Sequence, residues 1–148
     1  MKIYLSQLLG KYLTFDHQNS AAPGVATFKF KADPKLHWEA GQYYVYFMPG
    51  DLLDRRTAFR PFTVSSAPSE GHLEISTRIV EAPSKFKQLL LGLKPGAKVY
   101  AFGPFGSFTL NPRQPTVMLA GGIGITPFRA QLLELAQDGR LQLGLGRR

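Results

Sequence analysis

Apolar and polar residues alternate in short runs through roughly residue 110 of this 148-residue chain. Glycine, proline, asparagine and aspartate separate the runs, as they separate the strands of all-β proteins. Five runs alternate or are rich in aromatic and β-branched residues, and they cover residues 25–30, 41–47, 62–66, 72–79 and 98–102. Five or six short strands at this spacing predict a small antiparallel barrel or sandwich.

A single helix is predicted within this strand-rich region. Apolar residues recur at helical spacing between residues 86 and 93, directly after Pro83-Ser84-Lys85. Gly92 or Gly96 would end the helix, because glycine is frequent just past helix C-termini. The pattern therefore predicts one short helix that starts near residue 83.

The periodicity changes after this region. Thr116-Val117-Met118-Leu119-Ala120 is an uninterrupted apolar run, typical of a strand buried on both faces. A glycine loop follows, and residues 127–136 then have the pattern of a helix with Pro127 in its first turn, where a missing N–H costs nothing. Residues 141–145 are a candidate for the next strand.

These patterns predict two domains joined by the proline-rich linker 111–115. Residues 1–112 form a β-rich domain, and residues 113–148 form the start of an α/β unit. A parallel sheet is stable when both of its faces are covered. Because so little of that sheet is present, we expect the region beyond about residue 115 to be loosely held or to pack against another chain.

Composition excludes several classes of site and partner. The chain has no cysteine, which removes disulfides, iron–sulfur ligation and thiol nucleophiles and is compatible with a cytoplasmic location. Its three histidines are scattered at spacings that do not suit a metal site. The net charge of +8 favours anionic partners or simply a basic, soluble surface. The basic residues are spread along the chain, so we expect no nucleic-acid-binding tail.

The segment Arg60-Pro61-Phe62-Thr63 has the chemistry of a flavin site. A planar guanidinium suits a pyrophosphate, an aromatic ring suits the flat isoalloxazine, and the adjacent hydroxyl or backbone can reach the ring edge. The helix start at Ser84 and Lys85 could supply N–H donors and positive potential to the same phosphates. The alternative is structural: Arg60 would be a surface cation and Phe62 a core residue.

The segment Ala120-Gly121-Gly122-Ile123-Gly124-Ile125-Thr126-Pro127 follows a predicted strand and opens a helix. In that context glycines let the backbone approach a pyrophosphate or a nicotinamide closely. A tight strand-to-helix turn without a ligand is the alternative. The segment is not a P-loop, because no Gly-Lys-Ser/Thr follows.

In order and spacing these motifs resemble the ferredoxin–NADP reductase family of FAD-dependent NAD(P)H oxidoreductases. The resemblance runs over about residues 20–140 and also includes segments 38–43, 93–96 and 103–108. It implies an antiparallel Greek-key FAD-binding barrel followed by the first elements of a Rossmann-like NAD(P) lobe.

The resemblance also implies a role for each candidate site residue. Arg60 would hold the FAD pyrophosphate, Phe62 would stack on the flavin, and Thr63 would lie near its reactive nitrogen as the catalytic residue. The remaining implied flavin contacts are Pro61, Thr77, Arg78, Ile79, Ser84 and Lys85. The implied nicotinamide-nucleotide contacts are Gly121, Gly122, Gly124, Ile125, Thr126 and Pro127.

The chain departs from the family at two places. The flavin-stacking aromatic, often tyrosine in the family, is Phe62, which keeps the ring and loses the hydroxyl. The family's nucleotide lobe contains several parallel strands, of which the first strand, one helix and a second-strand candidate are found here. The expectation is therefore a C-terminally truncated member.

The expected function is hydride and electron transfer between NAD(P)H, bound FAD and an acceptor. The net charge of +8 suits an acidic electron-transfer protein as the partner, and a chain that completes the nucleotide lobe is the other expected partner. The alternative function is that of a non-catalytic small β-barrel that binds a nucleotide or an oligonucleotide, which the aromatic run at residues 43–47 would allow.

Overall fold

The computed structural model describes residues 10–31, 33, 35–48, 58–111 and 113–140. Within them lie six strands and two α-helices, with two short 3₁₀ turns. The strands are β1 (Lys11–Ala22), β2 (Val25–Phe30), β3 (Tyr43–Phe47), β4 (Phe59–Thr63), β5 (Leu73–Arg78) and β6 (Lys98–Phe105). The helices are α1 (Lys85–Leu91) and α2 (Thr126–Gln137), and the 3₁₀ turns are Pro68–Glu70 and Gly122–Ile125.

All six strands belong to one antiparallel sheet with the order β4-β3-β6-β1-β2-β5. The sheet curls until its two ends meet, because Val64, directly after β4, forms an antiparallel bridge with Ile75 of β5. The mainly-β antiparallel barrel predicted from the sequence is confirmed.

The longest strand, β1, is absent from the sequence prediction. Its first four residues pair with β6, and from Phe15 onward it pairs with β2 across two register shifts. Such irregularities bend a strand and increase its twist, which lets β1 turn the barrel corner. The outer half of β1 is polar and exposed, so no alternation marks it in the sequence.

The barrel interior is filled largely by aromatic side chains. The largest fully buried residues include Phe15, Phe28, Phe30, Tyr44 and Tyr46. Helix α1 covers this core with the buried side chains of Phe86 and Leu90. Tyr44 donates its hydroxyl to the backbone carbonyl of His37, and burial raises the pKa of Tyr44 to about 12. Burial likewise raises the pKa of Tyr46.

The run Thr116–Ala120 does not form the predicted strand, and this prediction is wrong. Those residues have no regular secondary structure, and Val117 and Leu119 are each 86% exposed. A strand needs a neighbour to satisfy its backbone groups, and the described residues provide none next to this run. The candidate strand at residues 141–145 lies outside the described residues.

Helix α2 is confirmed, and it packs on the barrel through Ala130 and Gln131, which are both buried. The Gln131 amide donates to the Phe108 carbonyl, and Glu134 accepts from the Ser69 N–H. In the described part of the chain we find no helix with the length and hydrophobicity needed to cross a membrane. The same residues contain no cluster of metal-ligating side chains.

Candidate functional site

Strand β4 is the end strand of the hydrogen-bonded ladder and carries the predicted flavin segment. Proline is tolerated in a strand at such an edge, where its missing N–H has no strand partner. Strand N–H groups alternate in direction. The Val64 N–H points to the Gln42 carbonyl next to β3, and the Ser65 N–H points to the Glu74 carbonyl of β5. By this alternation the Thr63 N–H points toward β5, away from the ladder.

Strands β4 and β5 meet at one point and then separate. They join at the Val64–Ile75 bridge. Continuing that antiparallel register backward along β4 sets Phe62 opposite Thr77 and Arg60 opposite Ile79, where the strands are no longer bridged. We call this opening the β4–β5 fork. Two sets of predicted flavin residues, 60–63 and 77–79, therefore form its two sides.

Phe62 is half-buried, with one side of its ring packed into the barrel. Its ring centroid lies 5.8 Å from that of Tyr46 and 5.8 Å from that of Phe86. These contacts fix the orientation of the ring, and the half-buried state leaves part of its surface open. A ring that packs against other aromatic side chains on its inner side can be part of the core and still offer its outer surface for stacking.

Arg60 lies on the same face of β4 as Phe62, because residues two apart share a face. It is half-buried, and its guanidinium donates to the Phe59 carbonyl at 2.8 Å. Thr63 is also half-buried, at the inner end of the fork, and pairs across the ladder with Tyr43.

The second side of the fork consists of the main chain of residues 77–79 and the long, charged side chain of Arg78. Thr77 is 6% exposed, its side chain points into the barrel, and it is the register partner of Ala26 on β2. Because the Ile79 N–H points to β2 and the Glu74 carbonyl points to β4, the backbone groups that face the fork are those of Ser76 and Arg78. Arg78 points outward and is exposed. The Ile79 N–H already donates to the Gly24 carbonyl at 2.8 Å.

The first turn of α1 closes the outer end of the fork. Ser84 is the N-cap residue, and its hydroxyl accepts from the Lys87 N–H at 3.5 Å. Lys87 donates to the Arg78 carbonyl at 2.6 Å, which ties α1 to β5. Phe86 touches Phe62 on β4, and Lys85 is exposed beside it. Both sides of the fork and the predicted phosphate-binding helix start are thus brought together.

The glycine loop also lies beside the fork. Gly122 has a φ of +54°, and a Cβ built there would lie 2.8 Å from Nη2 of Arg78. Glycine is therefore favoured by the positive φ, and the close approach shows that the Arg78 guanidinium lies against this turn. The contact joins Arg78, on the second side of the fork, to Gly122 of the glycine loop, 44 residues later in the sequence.

The rest of the glycine segment forms a turn into α2. The Gly124 N–H donates to the Gly121 carbonyl, and both glycines are exposed. Ile125 is 52% exposed, whereas Thr126 is buried at the start of α2. Pro127 lies in the first turn of the helix, as the sequence predicts.

Sequence analysis missed the polar cluster that joins α2 to the barrel. Arg129 donates to the Ser65 carbonyl at 2.8 Å and to both carboxylate oxygens of Glu70. Partial burial alone would raise the pKa of Glu70, but the hydrogen bonds from Arg129 and the Ala67 N–H outweigh it, and the pKa lies below its ordinary value. No local sequence pattern predicts this ion pair, because Arg129 and Glu70 are 59 residues apart.

Comparison with known proteins places these features in a family. The family model described as the oxidoreductase FAD-binding domain matches residues 12–110, which is more than half of the chain. The stachydrine N-demethylase reductase subunit Stc4 of Rhizobium meliloti (strain 1021) is 30% identical over 127 residues. The alignment covers 80% of this chain and 34% of that protein.

Two further matches agree. Ferredoxin–NADP reductase B of Sorangium cellulosum (strain So ce56) is 33% identical over 116 residues, covering 75% of this chain and 46% of that protein. The solved structure of the Amycolatopsis cytochrome P450 reductase GcoB superposes with a TM-score of 0.72 at 27% identity, covering 88% of this chain and 40% of that one. The chain thus spans between a third and a half of the length of these relatives. It belongs to the oxidoreductase FAD-binding domain family and, within it, to the ferredoxin–NADP reductase-like reductases.

Proposed function

We propose that this chain binds FAD in the β4–β5 fork and acts in electron transfer between NAD(P)H and an acceptor. Bound FAD supplies the ring that exchanges a hydride and electrons. The fork carries the proposal, because it brings an arginine, a half-buried aromatic ring and a backbone N–H into one opening. The family match and the reductase names of the relatives support it.

We assign the phosphate end of the cofactor to Arg60 and the first turn of α1. A pyrophosphate carries two negative charges, and Arg60 can meet it with a planar pair of N–H donors. Ser84 and Lys85 lie at the same end of the fork, since Phe86 in the next position touches Phe62. The Ser84 hydroxyl still has donor capacity after it accepts from Lys87, because a hydroxyl both donates and accepts.

We assign the flavin ring to the inner part of the fork. Phe62 offers an aromatic surface that its contacts with Tyr46 and Phe86 hold in place. The Thr63 N–H points into the fork, so the Thr63 backbone can donate to the ring edge. The main chain of Thr77 to Ile79 borders the opposite edge, with Pro61 on the β4 side. A preorganised arrangement of donors costs no rearrangement when charge develops on the ring.

We place the nicotinamide next to the fork, at the glycine turn. Gly122 lies close to Arg78, and Arg78 belongs to the segment 77–79 that borders the proposed flavin ring. A ligand over Gly121–Gly124 would therefore lie beside that ring. Thr126 and Pro127 would border that ligand. The acceptor is proposed to be an acidic electron-transfer partner, because the chain carries a net charge of +8.

Replacing Arg60 with alanine tests the cofactor site. Purified protein is titrated with FAD, and binding is followed by quenching of flavin fluorescence. We expect the variant to bind FAD about ten- to a hundredfold more weakly, because a charge-assisted hydrogen bond to phosphate is lost. Arg113→Ala, which removes an exposed arginine outside the fork, should bind FAD as the parent does. Equal affinity of the parent and Arg60→Ala would refute the assignment.

The electron-transfer part of the proposal has its own test. Loaded protein should keep its yellow colour through gel filtration, and NADH or NADPH should bleach it. Colour without bleaching would show that FAD binds and that the nicotinamide assignment is wrong. A colourless protein that retards a short single-stranded DNA would favour the alternative, a nucleotide- or oligonucleotide-binding barrel.

A further inference from the structure

A row of four aromatic rings crosses the outside of the barrel. In the register of the sheet Phe59 of β4 lies opposite Phe47 of β3, Phe47 opposite Tyr100 of β6, and Tyr100 opposite Tyr12 of β1. The ring centroids are 4.9 Å apart for Phe47 and Phe59 and 5.2 Å apart for Tyr12 and Tyr100. These four rings, two contacting pairs at one level on four adjacent strands, are called the aromatic row.

The aromatic row is separate from the β4–β5 fork. Successive residues of a strand point to opposite faces, so Phe59 and Arg60 lie on opposite sides of β4. The same holds for Tyr46, whose ring contacts Phe62 in the interior, and Phe47, whose ring contacts Phe59 outside. None of the four rings of the aromatic row is among the residues assigned to the proposed cofactor site.

The aromatic row forms the wall of a pocket rather than a flat surface. The pocket has a volume of about 440 Å³ and is lined by the four rings together with Lys98. Sites for small molecules have volumes of this order and are mostly apolar, with a few polar groups that fix orientation. Tyr12 is 66% exposed and Phe59 42% exposed, so large ring surfaces face solvent. Solvent-exposed rings grouped in one concavity are typical of binding sites.

Lys98 gives the pocket a positive charge. It lies two residues before Tyr100 on β6, so its side chain shares the outer face. Its ammonium donates to the Thr14 hydroxyl at 2.6 Å across the β1–β6 ladder, and Lys98 and Thr14 are also register partners. An ammonium has three N–H donors, so this bond leaves donors for an anionic ligand.

We propose that the aromatic row and Lys98 bind a planar aromatic anion, of the size of a fused two-ring carboxylate. Rings at two inclinations offer both stacking and edge-to-face contacts to one flat ligand. The carboxylate pairs with the Lys98 ammonium at the rim of the pocket. Single-stranded nucleic acid fits less well, because it also needs several cations along its phosphates, and Lys98 is the charged group among the described lining residues.

The test uses the full chain loaded with FAD and two matched ligands. Isothermal titration with naphthalene-2-carboxylate should give saturable binding, and naphthalene-2-carboxamide, which has the same rings without the charge, should bind more weakly. Lys98→Gln should weaken carboxylate binding about tenfold and leave amide binding unchanged. Lys29→Gln removes the same charge from β2 and should change neither.

A ring variant tests the stacking contribution. Tyr12→Ser removes the most exposed ring of the row and should weaken both ligands about tenfold. If Tyr12→Ser does not fold, as judged by thermal unfolding, the comparison of Lys98→Gln with Lys29→Gln decides alone. Equal affinity for carboxylate and amide, or equal effects of the two lysine variants, would overturn the proposal.

Two further outcomes would also overturn it. If FAD displaces naphthalene-2-carboxylate, or if Lys98→Gln weakens FAD binding, the pocket belongs to the cofactor site. If a short oligothymidylate displaces the carboxylate at physiological salt, the aromatic row is a nucleic-acid platform. Unchanged FAD affinity in Lys98→Gln and no displacement by either competitor are the expected results.

Discussion

The barrel and the segment after residue 113 are stabilised by different forces. The barrel closes around an aromatic core in which Phe28, Phe30 and Tyr46 have no exposed surface. The described residues of the later segment, 113–140, have no such core. Val117 and Leu119 face solvent, and α2 is held by the Arg129 cluster and the Gln131–Phe108 hydrogen bond. Apolar burial therefore explains the first region, whereas the second combines limited apolar contacts, at Ala130 and between Phe108 and Phe128, with a few specific polar contacts.

The difference shows which part of the proposed site is preformed. The β4–β5 fork is built from strands whose other faces belong to the core, so its shape is supported by the cooperative stability of the barrel. The glycine turn is joined to the barrel through α2 and the Arg78–Gly122 contact. Regions with few buried apolar contacts open at low free-energy cost. We expect the flavin side of the site to be rigid and the nicotinamide side to open more readily.

The largest expected effect comes from removing a core ring. Phe28→Ala should lower the free energy of unfolding by about 3–5 kcal/mol, because it removes buried apolar surface and leaves a cavity. Leu119→Ala, which truncates an apolar residue that is 86% exposed, should change it by less than about 0.5 kcal/mol. Urea unfolding followed by circular dichroism measures both. Comparable losses in the two variants would show that the segment after residue 113 shares the barrel core.

A smaller and local effect is expected from the Arg129 cluster. Arg129→Met keeps much of the side-chain volume and removes the bonds to Ser65 and Glu70. The pair is partly exposed, so we expect α2 to lose about 1–2 kcal/mol of protection in amide hydrogen exchange. Amides of β3 should keep their protection.

The matched control for this change is Arg113→Met, which removes an exposed arginine from the linker. It should leave exchange in α2 unchanged. If Arg129→Met also leaves α2 unchanged, the polar cluster does not hold the helix. If it accelerates exchange in β3 as much as in α2, the two regions unfold as one unit.

Elements of the fold could be predicted where the burial of one face produces a regular spacing of apolar residues in the sequence. Strands β2 and β5 alternate because one face is buried, and α1 shows its apolar face and its terminal glycine, Gly92. Strand β1 was missed because its outer half is held by pairing alone. The strand prediction for residues 116–120 was wrong for the opposite reason. The composition of this run suits a buried strand, but no neighbouring strand among the described residues covers it.

The candidate site was predictable in its local motifs and not in its long-range contacts. The expected ligand chemistry of the flavin segment and of the glycine turn can each be inferred from residues that are adjacent in sequence. The Arg78–Gly122 approach and the Arg129–Glu70 pair join positions far apart in sequence, and surface arginines of this kind have no distinguishing pattern. The inward orientation of Thr77 follows from the strand alternation that the sequence already showed.

The smallest expected effect is a pH dependence confined to α2. The folded pKa of Glu70 lies below its ordinary value of 4.5, so the carboxylate binds fewer protons when it is paired with Arg129 than when α2 is detached. Its stabilising contribution is therefore complete above about pH 4.5 and is lost as the pH falls through the folded pKa. His72 faces the same carboxylate, and its charge acts in the same direction.

Hydrogen exchange corrected for intrinsic rates should show constant α2 protection above about pH 5 and a decline below pH 4.5, with β3 unchanged over that range. Glu70→Gln removes the titrating group, so α2 should be less protected at neutral pH and should show no such decline. A decline of equal size in Glu70→Gln would assign the effect to a group other than Glu70. Protection that falls in β3 together with α2 would instead mean that acid unfolds the whole barrel, and the contrast between an apolar core and a polar attachment would not hold in that pH range.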